Sequence, residues 1–181
     1  IVGNNQPDFV WGFTNRFAYK GFELNILLQG TKGNEVLFLG TRQMDVGATG
    51  LNQYDRWVRC WKPDYSAVPS NMGVDMTWDG KTPYPIGNNP RYNDTWVYDG
   101  TFIRLKNITL AYNFPKELCQ RVGIQGAQIY LMGDNIHTWT KYPGVSVETN
   151  SMGYDMVTEG GIDYGTYPLA RKYSMGINVT F

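Results

Sequence analysis

The sequence lacks long apolar runs, and this absence restricts the kind of element with which the chain could cross a membrane. No stretch of the 181 residues approaches the roughly 18 uninterrupted apolar residues of a transmembrane helix. A transmembrane strand needs only about 9–11 residues, and its apolar positions alternate with polar ones. Residues 1–5 carry neither the basic segment nor the apolar core of a signal peptide, and they do not begin with methionine. We therefore expect the chain to start inside a longer one.

Charge is scarce and balanced. Asp, Glu, Lys and Arg together make up 18% of the chain, and the formal net charge is zero. Nucleic-acid binding needs a basic patch, and attraction to anionic lipid needs a polybasic run. The sequence has neither, so we predict that nucleic acid is not a partner.

Residues that usually carry chemistry are also sparse. His137 is the only histidine, and one histidine cannot build a histidine-based metal cluster. Nothing in the sequence indicates that two carboxylates converge as they do in a glycosidase. We expect no metal, no cofactor and no catalytic residue, and therefore no enzyme. The carboxylates of the irregular regions lack the spacing of a calcium loop and are interpreted as solvated: Asp75, Asp79, Asp94, Asp99, Glu148, Asp155, Glu159 and Asp163.

Aromatic residues, by contrast, make up 15% of the chain, and they alternate with small or polar residues in segments of strand length. The alternation predicts strands at residues 9–19 and 22–30. Lys20 and Gly21 form a two-residue turn between them, which pairs Tyr19 with Phe22 and puts both apolar faces on one side of the sheet.

Three further strands are predicted at residues 101–114, 126–140 and 169–181. The apolar phase of the first of these changes near Lys106, which a β-bulge would explain. Between this strand and the next, residues 116–121 can form one helical turn with Pro115 at its start.

The connections between the strands alternate in length. Residues 20–21 and 115–125 are short connections, whereas 31–95 and 141–168 are long and irregular, with a short helix predicted at 51–61. Outer-membrane barrels have short periplasmic turns and long extracellular loops, so we assign the long connections to the outside. The sequence thus predicts an all-β fold: about five C-terminal antiparallel strands of a transmembrane barrel.

Two consequences follow from this topology. Cys60 lies in an outer loop and Cys119 in a periplasmic turn, so we predict that they do not pair, because a disulfide needs Cα atoms within about 7 Å. Five strands cannot persist alone in a membrane, since open edges leave backbone groups unpaired in hydrocarbon. We therefore expect the remainder of the barrel, and outer-membrane lipid, as partners.

A soluble antiparallel sandwich also shows alternating strands. The alternative function is accordingly a soluble carbohydrate-binding or adhesin-like β-sandwich module. Aromatic residues near the strand ends, such as Trp11 and Trp139, favour the barrel, because Trp and Tyr collect at the two membrane interfaces.

The large loop contains aromatic residues that suit ligand binding. Aromatic rings offer flat apolar faces for stacking on sugar rings or peptide side chains. The alternative is that the same rings pack the loop against itself or against a partner protein. The candidates for ligand contact are Trp78, Tyr84, Tyr92 and Trp96.

Several stretches together resemble one family. They are PDFVWGFTNRFAYKGFEL (7–24), DTWVYDGTFIRLKNITLAY (94–112), GDN (133–135) followed by WTKYPG (139–144), and DYGTYPLAR (163–171). These stretches resemble, in order, the C-terminal part of the SusC/RagA-type TonB-dependent outer-membrane importers of Bacteroidota.

The resemblance implies a barrel of about 22 strands that is filled by a plug and lies in the cell outer membrane. It also implies TonB-dependent import of a nutrient, either a glycan or an oligopeptide. A SusD-like surface lipoprotein would act as a lid, and TonB would contact a part of the protein outside this chain. The last strand resembles the signal that the barrel-assembly machinery reads, with Tyr173, Ile177, Val179 and Phe181 as its residues.

Overall fold

The computed structural model describes residues 3–45, 52–61, 80–81, 94–149 and 160–181. Short 3₁₀ helices lie at Asp55–Arg59 and Asp94–Trp96. In chain order, the strands and α-helices are β1 (Phe9–Tyr19), β2 (Phe22–Lys32), β3 (Glu35–Phe38), α1 (Leu39–Asp45), β4 (Val97–Asp99), β5 (Phe102–Asn113), α2 (Lys116–Arg121), β6 (Gly126–Thr140), β7 (Ile162–Asp163) and β8 (Lys172–Thr180).

The five long strands form one antiparallel sheet in the order β1-β2-β5-β6-β8. The prediction of an all-β antiparallel fold is confirmed. Four of the five strands lie within two residues of their predicted bounds at both ends. The last strand begins at Lys172 and not at Leu169, because residues 169–171 do not pair with β6.

The first hairpin has the predicted register. Tyr19 pairs with Phe22, and Lys20 (φ 46°) and Gly21 (φ 88°) both adopt positive φ. Positive φ at both central residues is typical of the type I′ turn, whose twist matches that of the flanking strands. Gly21 adopts this backbone without strain, whereas Lys20 does so at some cost.

A bulge lies at Lys106, as the change of phase in the sequence predicts. Leu28 pairs with Leu105 and Leu27 with Asn107, so Lys106 has no partner on β2. On the other side, Leu105 pairs with His137 of β6, and Asn107 pairs with Asp134. Between these two pairs β5 advances by two residues and β6 by three. The extra residue restores the alternation, so that the apolar side chains before and after the bulge share one face of the sheet.

A second, three-stranded sheet has the order β4-β3-β7. β3 and β7 lie within the two regions that the sequence analysis treats as irregular loops, and β4 follows the first of these regions. β3 pairs with β4 antiparallel and with β7 in parallel. The expectation of loops without strands is therefore wrong for these segments. Their strands of two to four residues are too short to display a period.

The buried apolar core lies beside this second sheet. Val36, Phe102, Tyr142 and Val147 are buried together, and Phe38 packs against them. We call the second sheet with residues 141–149 the small-sheet lobe. It joins the end of the large sheet at Phe102, the first residue of β5.

The two predicted short helices differ in outcome. α2 occupies Lys116–Arg121 with Pro115 at its N-cap, as expected. The helix expected at 51–61 is a 3₁₀ helix at Asp55–Arg59, so its described part is shorter and tighter than predicted. No described helix has the length and apolar character that crossing a bilayer requires.

Candidate functional site

One face of the large sheet is apolar and exposed. The register aligns Phe17, Leu24, Leu110, Leu131 and Met175 in one row across all five strands. In this row the exposed fraction is 57% for Phe17, 55% for Leu131 and 82% for Met175. A soluble protein rarely leaves so large a contiguous apolar surface uncovered. Within the described ranges, no second layer packs over this face.

Neighbouring rows extend the same face. Tyr19, Phe22, Tyr112, Ile129 and Ile177 form the row toward the hairpin end of β1. Toward the other end, Trp11 pairs with Gly30, followed by Ile103 and Trp139. The eight residue steps from Trp11 to Tyr19 span roughly 20 Å along the normal of a bilayer at a tilt of about 40°. This length is close to the apolar band of about 25 Å on outer-membrane barrels.

Gly30 has a steric role in this arrangement. A Cβ on Gly30 would lie 2.5 Å from the carbonyl oxygen of Phe102 and 2.7 Å from Cζ2 of Trp11. The indole of Trp11 therefore covers the backbone of β2 where a side chain is absent. By contrast, a Cβ on Gly12 of β1 would meet no atom within 4 Å.

The opposite face of the large sheet is polar and hydrogen-bonded. Arg16 Nη2 donates to Glu23 Oε2 at 2.6 Å, and Asn113 Nδ2 donates to Glu23 Oε1 at 2.7 Å. Gln128 Nε2 donates to Asn113 Oδ1 at 2.9 Å, and Asn178 Nδ2 donates to Gln128 Oε1 at 3.0 Å. We call these five residues, one from each long strand, the polar ladder. Such pairing satisfies polar side chains that a water-filled interior would otherwise have to solvate.

A second polar cluster lies farther along the same face, centred on Arg104 of β5. The register pairs Arg104 with Gln29 and Thr138, and its side chain is only 2% exposed. Arg104 Nη1 donates to Glu148 Oε2, and Nε donates to Thr138 Oγ1 at 2.9 Å. A buried guanidinium is tolerated only when it is paired and hydrogen-bonded, and Glu148 supplies the opposite charge.

A hydrogen bond inside the small-sheet lobe joins Tyr142 to Asp163, and both residues lie in the predicted loop 141–168. The Tyr142 hydroxyl donates to Asp163 Oδ2 at 2.6 Å. Burial opposes ionisation of Asp163, yet its pKa lies below the ordinary value, because the backbone N–H of Thr166, the Tyr142 hydroxyl and the backbone N–H of Gly165 donate to the carboxylate. Burial, followed by the bond to Asp163, raises the pKa of Tyr142. The pair is therefore a neutral phenol that donates to an ionised carboxylate.

The interpretation of the loop carboxylates as solvated is wrong for Asp163, which is 1% exposed. The Glu148 side chain is 45% exposed, and it is also ion-paired with the buried Arg104. The sequence does carry a local signal at Asp163, since an aspartate followed by Tyr-Gly-Thr can accept hydrogen bonds from the next backbone N–H groups in an Asx turn. The pairing of Glu148 with Arg104 has no local signal.

The four proposed ligand-binding aromatics are not brought together by the described structure. Trp78, Tyr84 and Tyr92 lie outside the described residues. Trp96 ends a 3₁₀ helix and is 4% exposed. A buried ring offers no free face for stacking, so the interpretation of Trp96 as a ligand contact is corrected: in this conformation it packs inside the fold.

The proposed assembly residues occupy β8 and the position after it. Tyr173, Ile177 and Phe181 are 71%, 68% and 85% exposed, and Val179 shares their face. β8 pairs only with β6, so its other edge presents unpaired backbone groups among the described residues.

The structure also places the histidine and the two cysteines that the sequence analysis considers. Among the described residues, no three His, Cys, Asp or Glu side chains are placed to hold a metal. His137 lies on β6 with its ring 4.6 Å from that of Trp139. Cys60 and Cys119 are both buried thiols and free.

Known proteins with similar sequences are TonB-dependent receptors. No protein-family model matches the chain. Over its full length the chain is 33% identical to TonB-dependent receptor P3 of Formosa agariphila, of which it spans 17%. Over 96% of its length it is 24% identical to the TonB-dependent receptor SusC of Bacteroides thetaiotaomicron, of which it spans 15%. The chain thus corresponds to about a sixth of the length of these relatives.

A solved structure has the same fold. The chain superposes on a chain of the RagAB peptide transporter with a TM-score of 0.74 and 25% identity. The match covers 97% of the present chain and 17% of the other.

An antiparallel sheet with one exposed apolar face and one hydrogen-bonded polar face has the two surfaces that the wall of a membrane β-barrel requires. The similar sequences and the similar solved structure indicate which class of membrane barrel this is, the TonB-dependent receptors. Over its full length the chain is similar to a barrel segment of TonB-dependent receptors of the SusC/RagA type.

Proposed function

We propose that this chain is a C-terminal wall segment of an outer-membrane importer that takes up a nutrient in a TonB-dependent cycle. The strands cross the membrane, the apolar face meets lipid, and the polar face lines the water-filled interior or contacts the plug. The long connections, 31–95 and 141–168, lie on the extracellular side. TonB contacts a part of the receptor outside these residues.

The observation that carries the proposal is the two-faced sheet. The exposed row from Phe17 to Met175 has the polarity of a lipid-facing surface. The polar ladder on the opposite face has the polarity of a barrel interior, which is polar in this class of protein. A soluble sandwich would cover the apolar face with a second sheet, and no described part of the chain covers it in this way.

The partners follow from the same geometry. The free edges of β1 and β8 need neighbouring strands, which the remainder of the same barrel supplies. The solved relative is described as RagAB, a two-component peptide transporter. We infer that a SusD-like surface lipoprotein covers the extracellular side here as well, and that the barrel-assembly machinery inserts the protein.

The ligand class is a glycan or an oligopeptide. The relatives include SusC and the RagAB peptide transporter. Trp78, Tyr84 and Tyr92 stay the proposed ligand contacts of the extracellular loop, because their rings can stack on sugar rings or on peptide side chains.

Fractionation of the full-length receptor tests the proposal. We expect the protein in the outer-membrane fraction, extractable with detergent but not with high salt or carbonate, because the apolar face has no other cover. Recovery of the full-length protein as a soluble monomer without detergent would refute the proposed location and favour the sandwich module.

A further inference from the structure

Among the described residues, other chain segments cover the polar face of the large sheet at one end only. Residues 142–149, which we call the strap, follow β6 and fold back over this face. Tyr142, Ser146 and Val147 in the strap are buried. Val147 packs in the core with Val36 and Phe102, so the strap has an apolar anchor in the small-sheet lobe.

The strap also has a polar anchor in three long strands. The Glu148 carboxylate accepts from Arg104 of β5 and, at 3.5 Å, from Gln29 of β2. Arg104 reaches Thr138 of β6 through its Nε atom. These three strand residues are neighbours on the polar face, so the strap crosses β2, β5 and β6 and does not extend away from the sheet.

The buried guanidinium of Arg104 keeps the strap against the sheet. Its side chain is 2% exposed, and the guanidinium carbon lies 4.9 Å from the centre of the Phe102 ring. An arginine in such a position loses its hydration only because the strap covers it and Glu148 neutralises it. Moving the strap off the sheet would separate Glu148 from Arg104 and expose the apolar core around Val147. Both the ion pair and the apolar packing therefore hold the strap in place.

We propose that the strap is a fixed inward segment that narrows the extracellular end of the import passage, with Arg104 as its positioning residue. The inference rests on the proposed function, because the polar face lines a passage only if the sheet is a barrel wall. The strap then limits the width of the passage beside β2, β5 and β6, and it stays in place during transport.

The test is limited trypsin digestion of the purified full-length receptor in detergent, with the cut sites identified by mass spectrometry. Lys141 is exposed and directly precedes the strap, but a protease needs several residues around the cut to unfold locally. Arg104→Gln and Glu148→Gln should accelerate cleavage after Lys141 by about tenfold, since each leaves the other member of the pair without its charge partner. The double variant Arg104→Glu/Glu148→Arg should restore slow cleavage.

Two controls separate the strap from the rest of the fold. Arg16→Gln removes the other ion pair on the same face, Arg16–Glu23, and should leave the cut after Lys141 unchanged. Arg121, the exposed last residue of α2, is the internal control in each digest. Unchanged cleavage after Lys141 in both single variants would overturn the proposal. Equal acceleration at Lys141 and Arg121 would also overturn it, because Arg104 would then support the whole fold. A wild-type receptor outside the outer membrane would contradict the proposed function without changing the digestion result.

Discussion

Single side chains in this protein connect segments that are far apart in sequence. Tyr142 and Asp163 are 21 positions apart, and Arg104 and Glu148 are 44 positions apart. The first contact connects two parts of the predicted loop 141–168, and the second joins that loop to β5. The small-sheet lobe is therefore held by a few specific contacts around a core cluster that, among the described residues, contains Val36, Phe102, Tyr142 and Val147.

Tyr142→Phe should destabilise the small-sheet lobe locally. The substitution keeps the ring in the core but removes a donor to the ionised Asp163, and a hydrogen bond to a charged group contributes about 1.5–3 kcal/mol. We expect faster hydrogen exchange at Gly165 and Thr166, whose N–H groups donate to the same carboxylate. The measurement is hydrogen exchange of the full-length receptor followed by mass spectrometry.

Tyr167→Phe is the matched control, because Tyr167 is 88% exposed and lies in the same segment. Its exchange should equal that of the wild type. If Tyr142→Phe and Tyr167→Phe exchanged alike, the hydroxyl of Tyr142 would have no role in holding Asp163.

Glycine positions give a second comparison at this scale. Gly30→Ala places a methyl group against Trp11 and the Phe102 carbonyl, and overpacking of this kind costs about 1–3 kcal/mol. Gly12→Ala adds the same methyl group in open space. We expect a lower unfolding temperature for Gly30→Ala alone, measured by the heat-dependent change in electrophoretic mobility of the full-length barrel. Equal temperatures for the two variants would show that Trp11 does not pack closely on β2.

At the scale of elements, the long strands could be predicted from the sequence and the short ones could not. The hairpin of β1 and β2 displays its period over 11 residues in each strand, and the break at Lys106 reveals the bulge because the apolar phase changes there. β3, β4 and β7 have four residues or fewer, and β7 reaches β3 through a parallel pairing between Leu37 and Ile162. A pairing so distant in sequence has no local pattern that predicts it.

The same difference between local patterns and distant contacts explains which site residues could be predicted from the sequence. The polar and apolar faces follow from alternation, which is local. The burial of Trp96, Asp163 and Arg104 depends on which segment covers them, and the sequence does not indicate this cover. Aromatic residues in and beside an irregular region therefore suggest ligand contacts, whereas Trp96 packs inside the fold.

β8 is the element whose exposed face is proposed to guide assembly. Deletion of Phe181 in the full-length receptor should lower its level in the outer membrane, because an exposed aromatic residue that follows an apolar strand face suits recognition by the assembly machinery. Phe181 is 85% exposed and makes little contact within the chain, so the deletion should leave the fold of the segment unchanged. Quantitative immunoblotting of outer-membrane fractions measures the effect, and an unchanged level would remove the assembly role.

At the scale of the whole molecule, the proposed function places the sheet between two environments. Adjacent residues of β8 face opposite sides: Met175 lies in the apolar row with Leu131, and Ser174 pairs with Met132 on the polar side. Both belong to the middle of the strand, so they differ mainly in the surface that they face. The account requires that surface to be lipid on one side and water or plug on the other.

The most direct test of this claim compares Met175→Arg with Ser174→Arg in the full-length receptor. An arginine on the lipid face near the bilayer midplane costs about 2–4 kcal/mol, whereas one in the interior is tolerated. The measurement is the amount of heat-modifiable, folded barrel in the outer membrane. The account predicts a clear loss for Met175→Arg and a level near wild type for Ser174→Arg. Equal levels for the two variants, or a loss for Ser174→Arg alone, would contradict it.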